Sequence, residues 1–496
     1  MYYSVKSGTI DGMKGAVVNV EVDASNGMPY FSMVGYLSHE VREAKERVIA
    51  ALRTVGFTLP PKRITVSLSP ADLKKAGASF DFPIAIAVLG SFQFFPTKQL
   101  ENAFLAGELG LEGSLRAAKG LLPMLLEAKN QGITTCYIPV ENVSEVGSIT
   151  GMDIYPVETL SQMVDYLRGI ETLEKLEHQT YTPGERPDYP DFADIKGQSL
   201  AKRALEIAAA GRHNILFIGP AGCGKTLLAH SLMSIIPPLT EKENQEVASI
   251  YSARGEPRKN HGYPPLRAPH HTISYSAFLG GGNQLKAGEI TLAHKGVLLI
   301  DEMPEFRRNC LEGLREPMQN HHIAISRTNG TFEFPADAMI VATANPCPCG
   351  NYPDMNKCHC TEIDRKRYVG KITKPLIERF DMIINVGKVC EQDFDEPVEK
   401  SEQIYKRIIN RRNTGKSAAN GRISSSEIEN ACKMNAETKR FSIRLMHLRE
   451  FSMREYHNML RVAKTIADLD GQEEVQIKHI SEAAQLYDTS AFGQGG

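Results

Sequence analysis

At 496 residues, with 42% apolar and 23% charged residues, the chain has the composition of ordinary globular domains and the length of about three of them. No apolar run approaches the ~18 residues of a membrane span, which excludes a helical membrane protein. A formal net charge of −2 excludes a surface coated with basic residues, so any nucleic-acid site must be local. The opening Met1-Tyr-Tyr-Ser-Val-Lys-Ser7 has no basic segment ahead of an apolar core; a cytoplasmic address follows, with the nine cysteines reduced.

Residues 1–168 carry alternating strand and helix signals, among them Ala16-Val-Val-Asn-Val-Glu-Val22, Arg63-Ile-Thr-Val-Ser-Leu68 and Phe82-Pro-Ile-Ala-Ile-Ala-Val-Leu89, and imply an α+β or α/β domain. Residues 169–190 turn polar and gain Pro183, Pro187 and Pro190 amid charge, as a linker does. From 191 to 390, strand-like runs recur at residues 215–218, 296–300 and 338–342 with helical stretches between, the pattern of a doubly wound parallel sheet. Residues 391–496 read as a small helical domain, with helical patterns over 401–413, 425–434 and 454–469 and a disordered end at 493–496.

The strand pattern ending at Ile218 runs into Gly219-Pro-Ala-Gly-Cys-Gly-Lys225-Thr226 and then a helical stretch. Strand, glycine-rich loop and helix make a phosphate cradle: Gly219, Pro220, Ala221, Gly222, Cys223 and Gly224 turn backbone N–H groups inward, Lys225 reaches the β and γ phosphates, and the Thr226 hydroxyl ligates Mg²⁺. Val297-Leu-Leu-Ile300 ends in Asp301-Glu302, a pair suited to ordering Mg²⁺ through water (Asp301) and polarising a lytic water (Glu302); alone it is also a common solvated strand end, but after a phosphate loop it marks hydrolysis rather than passive binding. A third strand delivers Asn345, an amide able to hydrogen-bond the γ phosphate and the lytic water, or simply to cap the strand before Pro346. Arg379 and Arg454 lie in settings that suit charge stabilisation of a transition state, as an arginine finger and a lid arginine, and equally suit exposed helix positions.

Cys347-Pro-Cys349 and Cys358-His-Cys360 place four cysteines in one short insertion at 347–360. Four thiolates favour a closed structural Zn²⁺ site; in a reducing compartment a disulfide pair is the weaker alternative. For DNA, the hairpin-like stretch 321–334 offers Arg327 as a backbone contact or an ordinary hairpin tip. The stretch from Lys406 to Arg422, including Arg407, Arg411 and Arg412, has six basic residues and no acidic one; it is a phosphate-contact stripe or a solvated face.

Asp191-Phe-Ala-Asp-Ile-Lys-Gly-Gln198 and the strand-end motifs resemble the AAA+ ATPases. Leu266-Arg-Ala-Pro-His-His-Thr-Ile-Ser274, Gly280-Gly-Gly282, Gly288-Glu-Ile-Thr-Leu-Ala-His294, Asp301-Glu-Met-Pro-Glu-Phe306 and Asn345-Pro-Cys-Pro-Cys-Gly350 narrow the resemblance to magnesium-chelatase-like ATPases of the YifB/ComM type. Phe31-Ser-Met-Val-Gly35, the segment Pro61–Asp72 and Phe80-Asp-Phe-Pro-Ile84 extend it to the N-terminal block, which resembles a Lon-protease-like (ribosomal S5 domain 2-like) α+β domain. The resemblance implies an AAA+ core with a C-terminal helical lid, assembled as a homohexamer. In it ATP hydrolysis drives movement on single-stranded and branched DNA, as a helicase promoting branch migration during natural transformation, with recombination proteins as partners. It also assigns the phosphate-loop Lys and Thr to Lys225 and Thr226, the carboxylate pair to Asp301 and Glu302, the sensor to Asn345, the finger to Arg379 and the second sensor to Arg454. The chain departs from the family at Thr373-Lys-Pro-Leu-Ile-Glu-Arg379 and carries Asn458 and Lys464 where arginines are usual. A chelatase-like or MoxR-like remodeller of a protein substrate is the alternative. Lon-type peptidase chemistry would need a serine beside a lysine; Ser79 and Lys119 are the nearest candidates, but the small-residue turn around such a serine is missing, so a non-catalytic domain is expected.

Overall fold

The computed structural model describes residues 1–178, 180–258, 260–282, 285–327, 330–394, 397–413 and 419–492. The chain divides into two compact units, Met1–Thr182 with Asn244–Lys259, and Pro183–Glu243 with Asn260–Gly496. No helix of the described residues is long and apolar enough to cross a membrane.

In the first unit β1 (Tyr2–Asp11) and β2 (Lys14–Ser25) form a long antiparallel hairpin paired as far as Asp11 with Lys14. The turn between them holds Gly12 at φ +65°, a conformation that strains any residue with a Cβ. β3 (Tyr30–Val34), β4 (Arg63–Ser69), β5 (Ala103–Leu105), β6 (Thr135–Pro139) and β7 (Asp153–Val157) complete a seven-stranded mixed sheet in the order β3-β4-β2-β1-β5-β6-β7. α1 (His39–Thr54) turns Val41, Ala44, Val48, Ala51 and Leu52 inward at helical spacing. The run Phe82–Leu89 is helical: it lies within α2 (Asp81–Ser91), whose residues are all buried. A continuous apolar run of that length hides every side only as a helix packed between α1 and the β1–β2 hairpin. Asp81 starts α2 and is answered by Arg47, whose guanidinium donates to both carboxylate oxygens at 2.6 and 2.9 Å. α3 (Leu121–Asn130) builds a second cluster with Phe104, Cys136 and Ile154.

Two boundaries differ from the sequence pattern. The segment 169–190 does not form a single free linker: Leu176 N–H donates to Ile154 O (2.8 Å) and Lys175 pairs with Asp153 (2.5 Å) alongside β7. The unit boundary falls between Thr182 and Pro183. Residues Asn244–Lys259 group with the first unit rather than with the block 191–390, because Ala248 packs on the α3 cluster; the polar run ahead of it gives no warning.

In the second unit β8 (Ile215–Ile218), β9 (Leu266–Arg267), β12 (Val297–Ile300), β15 (Met339–Ala344) and β16 (Met382–Asn385) form a parallel sheet in the order β9-β12-β15-β8-β16. β8, β12 and β15 are buried along their whole length, as in a sheet covered on both faces. Two antiparallel hairpins, β10 (Gly280–Gly281) with β11 (Lys286–Ala287) and β13 (His322–Arg327) with β14 (Gly330–Pro335), interrupt the strand–helix alternation. The C-terminal helices share the core of the sheet: Tyr456, Leu460, Ala463 and Ile466 of the helix Met453–Leu469 join one cluster with Ile215, Phe217 and Val341. Since β8 lies between β15 and β16, strand order reverses beside it. The crevice beyond its carboxyl end is where such a sheet receives a ligand.

Candidate nucleotide site and four-cysteine cluster

At that crevice β8 passes into Gly219–Gly224 and the helix Lys225–Ser231. Gly219 has no room for a side chain, since a Cβ there would lie 2.2 Å from Val386 O. Gly224 takes φ +90°. Lys225 Nζ folds into the loop, donating to Gly219 O and Pro220 O (both 2.8 Å) and to Asn345 Oδ1 (3.0 Å). Burial lowers its pKa, against the opposing pull of Cys223, Asp301 and Glu302, so an anion at this point would favour its charged form. Thr226 Oγ1 lies 3.2 and 3.1 Å from the two oxygens of Asp301. Lys225 and Thr226 therefore converge with Asp301 and Asn345, which are distant from them in sequence, with Glu302 beside Asp301. A hydroxyl and a carboxylate at the foot of a phosphate loop are a donor set that fits Mg²⁺.

Glu302 adopts φ +54°, and its N–H donates to Thr343 Oγ1 (2.9 Å); that hydroxyl donates in turn to Asp301 Oδ1 (2.5 Å). Nothing in the sequence pattern singles out Thr343, which reads there as one more strand residue.

Arg379 and Arg454 meet each other instead of the loop. Arg379 donates to Gln319 Oε1 (3.0 Å), Arg315 O (3.2 Å) and Pro375 O, while Arg454 donates to the same Gln319 oxygen (3.5 Å) and lies 4.0 Å from Glu378. Burial, then the neighbouring Arg454 and Arg315 cations, lower the pKa of Arg379. The polar partners of Arg454 thus lie at Gln319 and Glu378.

The described basic residues of the stripe are ion-paired. Arg407 pairs with Glu206 (2.8 Å) and Glu399, Arg411 with Asp468 (3.2 Å), Arg412 with Glu243 (3.4 Å) and Pro238 O (2.8 Å), and Lys406 with Glu402 (3.5 Å). Glu206, Asp468 and Glu243 come from other helices, while Glu399 and Glu402 are near in the chain; Lys416 lies outside the described residues. Arg327 stands at the end of β13, next to positions 328–329 of the expected hairpin, which lie outside the described residues. The sequence pattern missed the first hairpin, although three successive glycines within a helical stretch mark it. Ile325 Cδ1 lies 3.5 Å from where a Cβ on Gly280 or Gly281 would stand, an ordinary contact distance, so the two hairpins pack on each other; the glycines answer to their φ of +111° and +101°.

The four cysteines of 347–360 come together. Sγ separations are 3.4 Å (Cys347–Cys349), 3.8 Å (Cys347–Cys358) and 3.6 Å (Cys349–Cys358), and all four sulfurs lie within 4.8 Å of one another. A tetrahedral ion with ~2.3 Å bonds to sulfur places its ligands ~3.8 Å apart, so the set fits a thiolate-bound metal. An N–H from Asn351 brings the Cys349 thiol down to about 6. The insertion touches the phosphate loop: Ala221 N–H donates to Gly350 O (2.7 Å). In the first unit Ser79 Oγ is buried without a hydrogen-bond partner and is not joined to Lys119, which lies against Gly255.

Residues 191–394 match the family described as magnesium chelatase, subunit ChlI; residues 20–142 match subunit ChlI of Mg-chelatase, and residues 398–487 its C-terminal region. The competence protein ComM of Haemophilus influenzae is 38% identical over 484 residues, covering 95% of this chain and 94% of that protein. The chain belongs to the YifB/ComM family of magnesium-chelatase-like AAA+ ATPases. Within that family the protein YifB of Salmonella typhimurium is 36% identical over 482 residues, 95% of this chain and 94% of its own length. Lon protease 1 of Hydrogenovibrio crunogenus is 24% identical over 161 residues, 30% of this chain and 20% of that protein. Membership of that family suggests an ATPase.

Proposed function

We propose that this protein is a cytoplasmic, ATP-driven DNA motor that works as a homohexameric ring and promotes branch migration of recombination intermediates during natural transformation, alongside recombination proteins. The observation that carries the reading is the convergence of Lys225, Thr226, Asp301 and Asn345 on one crevice, in a chain similar to a competence protein over nearly its whole length.

In this reading the loop N–H groups and Lys225 bind the ATP phosphates, Thr226 and Asp301 hold Mg²⁺, Glu302 orients and polarises the lytic water, and Asn345 reports the γ phosphate. When bound, Mg²⁺ neutralises charge on the phosphate oxygens. Arg379 and Arg454, sharing Gln319, form one arginine face that meets the nucleotide of the next subunit. DNA contact falls to the stacked hairpins, with Lys286 and Arg327 as the cations, instead of the neutralised stripe. The four cysteines hold a structural Zn²⁺. Residues 1–168 serve as a Lon-protease-like domain without peptidase activity, consistent with the separation of Ser79 from Lys119, and 391–496 as the lid.

Steady-state ATP hydrolysis, with and without single-stranded and branched DNA across a salt series, tests the reading, with Glu302→Gln as the inactive control. DNA stimulation that weakens with salt is the expected result. Hydrolysis indifferent to every DNA would overturn it in favour of a chelatase-like or MoxR-like protein remodeller.

A further inference from the structure

We propose that Thr343 is a positioning residue of ATP hydrolysis, whose single hydroxyl fixes both carboxylates at the end of β12; the proposal rests on the ATPase reading above. Thr343 lies one residue before the end of β15, which pairs in parallel register with β12 as far as Ile300 opposite Ala342. Its side chain is 1% exposed and points at the carboxylate pair. A hydroxyl has one proton and two lone pairs. Here the proton goes to Asp301 Oδ1 at 2.5 Å, and a lone pair accepts the N–H of Glu302 at 2.9 Å. Asp301 thereby has two hydroxyl partners, Thr343 from within the sheet and Thr226 from the phosphate loop.

Glu302 needs this support more than most residues. At φ +54° it occupies the left-handed region, which a residue with a Cβ holds only where its surroundings over-determine it. At that turn the Glu302 N–H is held by Thr343 while Asp301 stays on Thr226. The Thr343 hydroxyl ties the Glu302 N–H to the Asp301 carboxylate, so the water-polarising group and the cation-ordering group keep a fixed relation. An aliphatic side chain of the same shape would fill the space and make neither bond. Serine would make both.

The experiment uses the full-length chain with Thr343→Val and Thr343→Ser beside the wild type and Glu302→Gln, reading kcat, the Kd of a fluorescent ATP analogue, and thermal melting. Thr343→Val should lower kcat roughly 10- to 100-fold, the worth of one to two bonds to a charged centre, with the analogue Kd within about twofold of wild type. Thr343→Ser should stay within about threefold of wild-type kcat. The proposal is overturned if Thr343→Val keeps wild-type kcat, if its loss tracks nucleotide binding or melting, or if Thr343→Ser falls equally far. A wild type that binds ATP without hydrolysing it would sink the ATPase reading instead. Mn²⁺ binding in the presence of ATP, followed by electron paramagnetic resonance, then decides on Thr343: weakening in Thr343→Val but not in Thr343→Ser supports the relay, and unchanged binding overturns it.

Discussion

Gly350→Ala is a small change whose consequence can be worked out atom by atom. Gly350 closes the Cys347-Pro-Cys349 turn at φ +72°, and an added Cβ would stand 2.9 Å from the Cβ of Ala221 and 3.6 Å from its N. Methyl carbons rest at about 3.5–4.0 Å, so either the cysteine insertion or the phosphate loop must move by roughly 0.6–1 Å. The left-handed conformation costs alanine about 1 kcal/mol. Shifting Ala221 also loosens its 2.7 Å bond to Gly350 O, a bond of about 1 kcal/mol. If the full sum of about 2 kcal/mol falls on the loop that cradles phosphate, nucleotide binding weakens about 30-fold.

Titration with a fluorescent ATP analogue measures this directly, and a second variant separates the two contributions. In Gly350→Ala with Ala221→Gly the clashing methyl is gone and the backbone cost remains, so affinity should return to within about fivefold of wild type. The reasoning is refuted if Gly350→Ala binds the analogue within twofold of wild type, or if the double variant binds no better than the single one.

Purified without chelators, the protein should carry one zinc per chain by elemental analysis. Stripping it, or Cys360→Ser, should weaken ATP-analogue binding as the Gly350 anchor loosens, and a metal-free chain with unchanged binding would contradict this. Mixing Arg454→Ala with Lys225→Ala protein should restore ATPase activity that neither has alone, because the Lys225→Ala subunit lends its arginine face to the intact loop beside it; a mixture as inert as its parts would return Arg454 to its own nucleotide. Stability of the second unit should fall as pH drops. Burial beside Arg422, Arg212 and Lys295, offset only partly by Asp337, lowers His321 to about 4, so between pH 6.5 and 4 the unfolded chain binds a proton the folded chain refuses. With the ring about one-third exposed, this amounts to about 1–2 kcal/mol. Asp337 is buried, which alone would raise its pKa, but Arg422, Arg212 and Lys295 hold it well below the usual carboxylate range, so its contribution is lost only below about pH 4. His457 and His479, also lowered by burial, add to the same trend, so melting followed from pH 7 to 4 should slope downward in wild type and less steeply in His321→Asn.

What the sequence revealed and what it hid divide along one physical line. Lys225, Thr226, Asp301, Glu302 and Asn345 were legible because each needs its neighbours in the chain: glycines to turn the loop, an apolar strand to end at the carboxylates, small residues before the amide. The cysteines were legible for the same reason, since two closely spaced pairs must fold back on each other. The fate of Arg407, Arg411 and Arg412 was hidden because their acids, Glu206, Asp468 and Glu243, come from other helices, and charge in a row says nothing about charge across a fold. The excursion at 244–259 was hidden likewise, its destination lying on α3.

The same distinction bears on how the centre is built. Asn345 follows β15, and Cys347 begins the cysteine loop two residues later, so the amide and the cluster share one stretch of backbone. That stretch is bonded back to the phosphate loop twice, through Asn345 to Lys225 and through Gly350 to Ala221. A displacement of the cysteine loop therefore reaches the Lys225 ammonium by both routes. Thr343, two residues before Asn345, carries it on to Asp301 and Glu302. Eight residues of one chain segment, 343–350, thus touch Lys225, Asp301, Glu302 and the loop at Ala221. The loss of metal should consequently appear as a loss of nucleotide affinity and of turnover together, whereas loss of the Thr343 hydroxyl should appear in turnover alone.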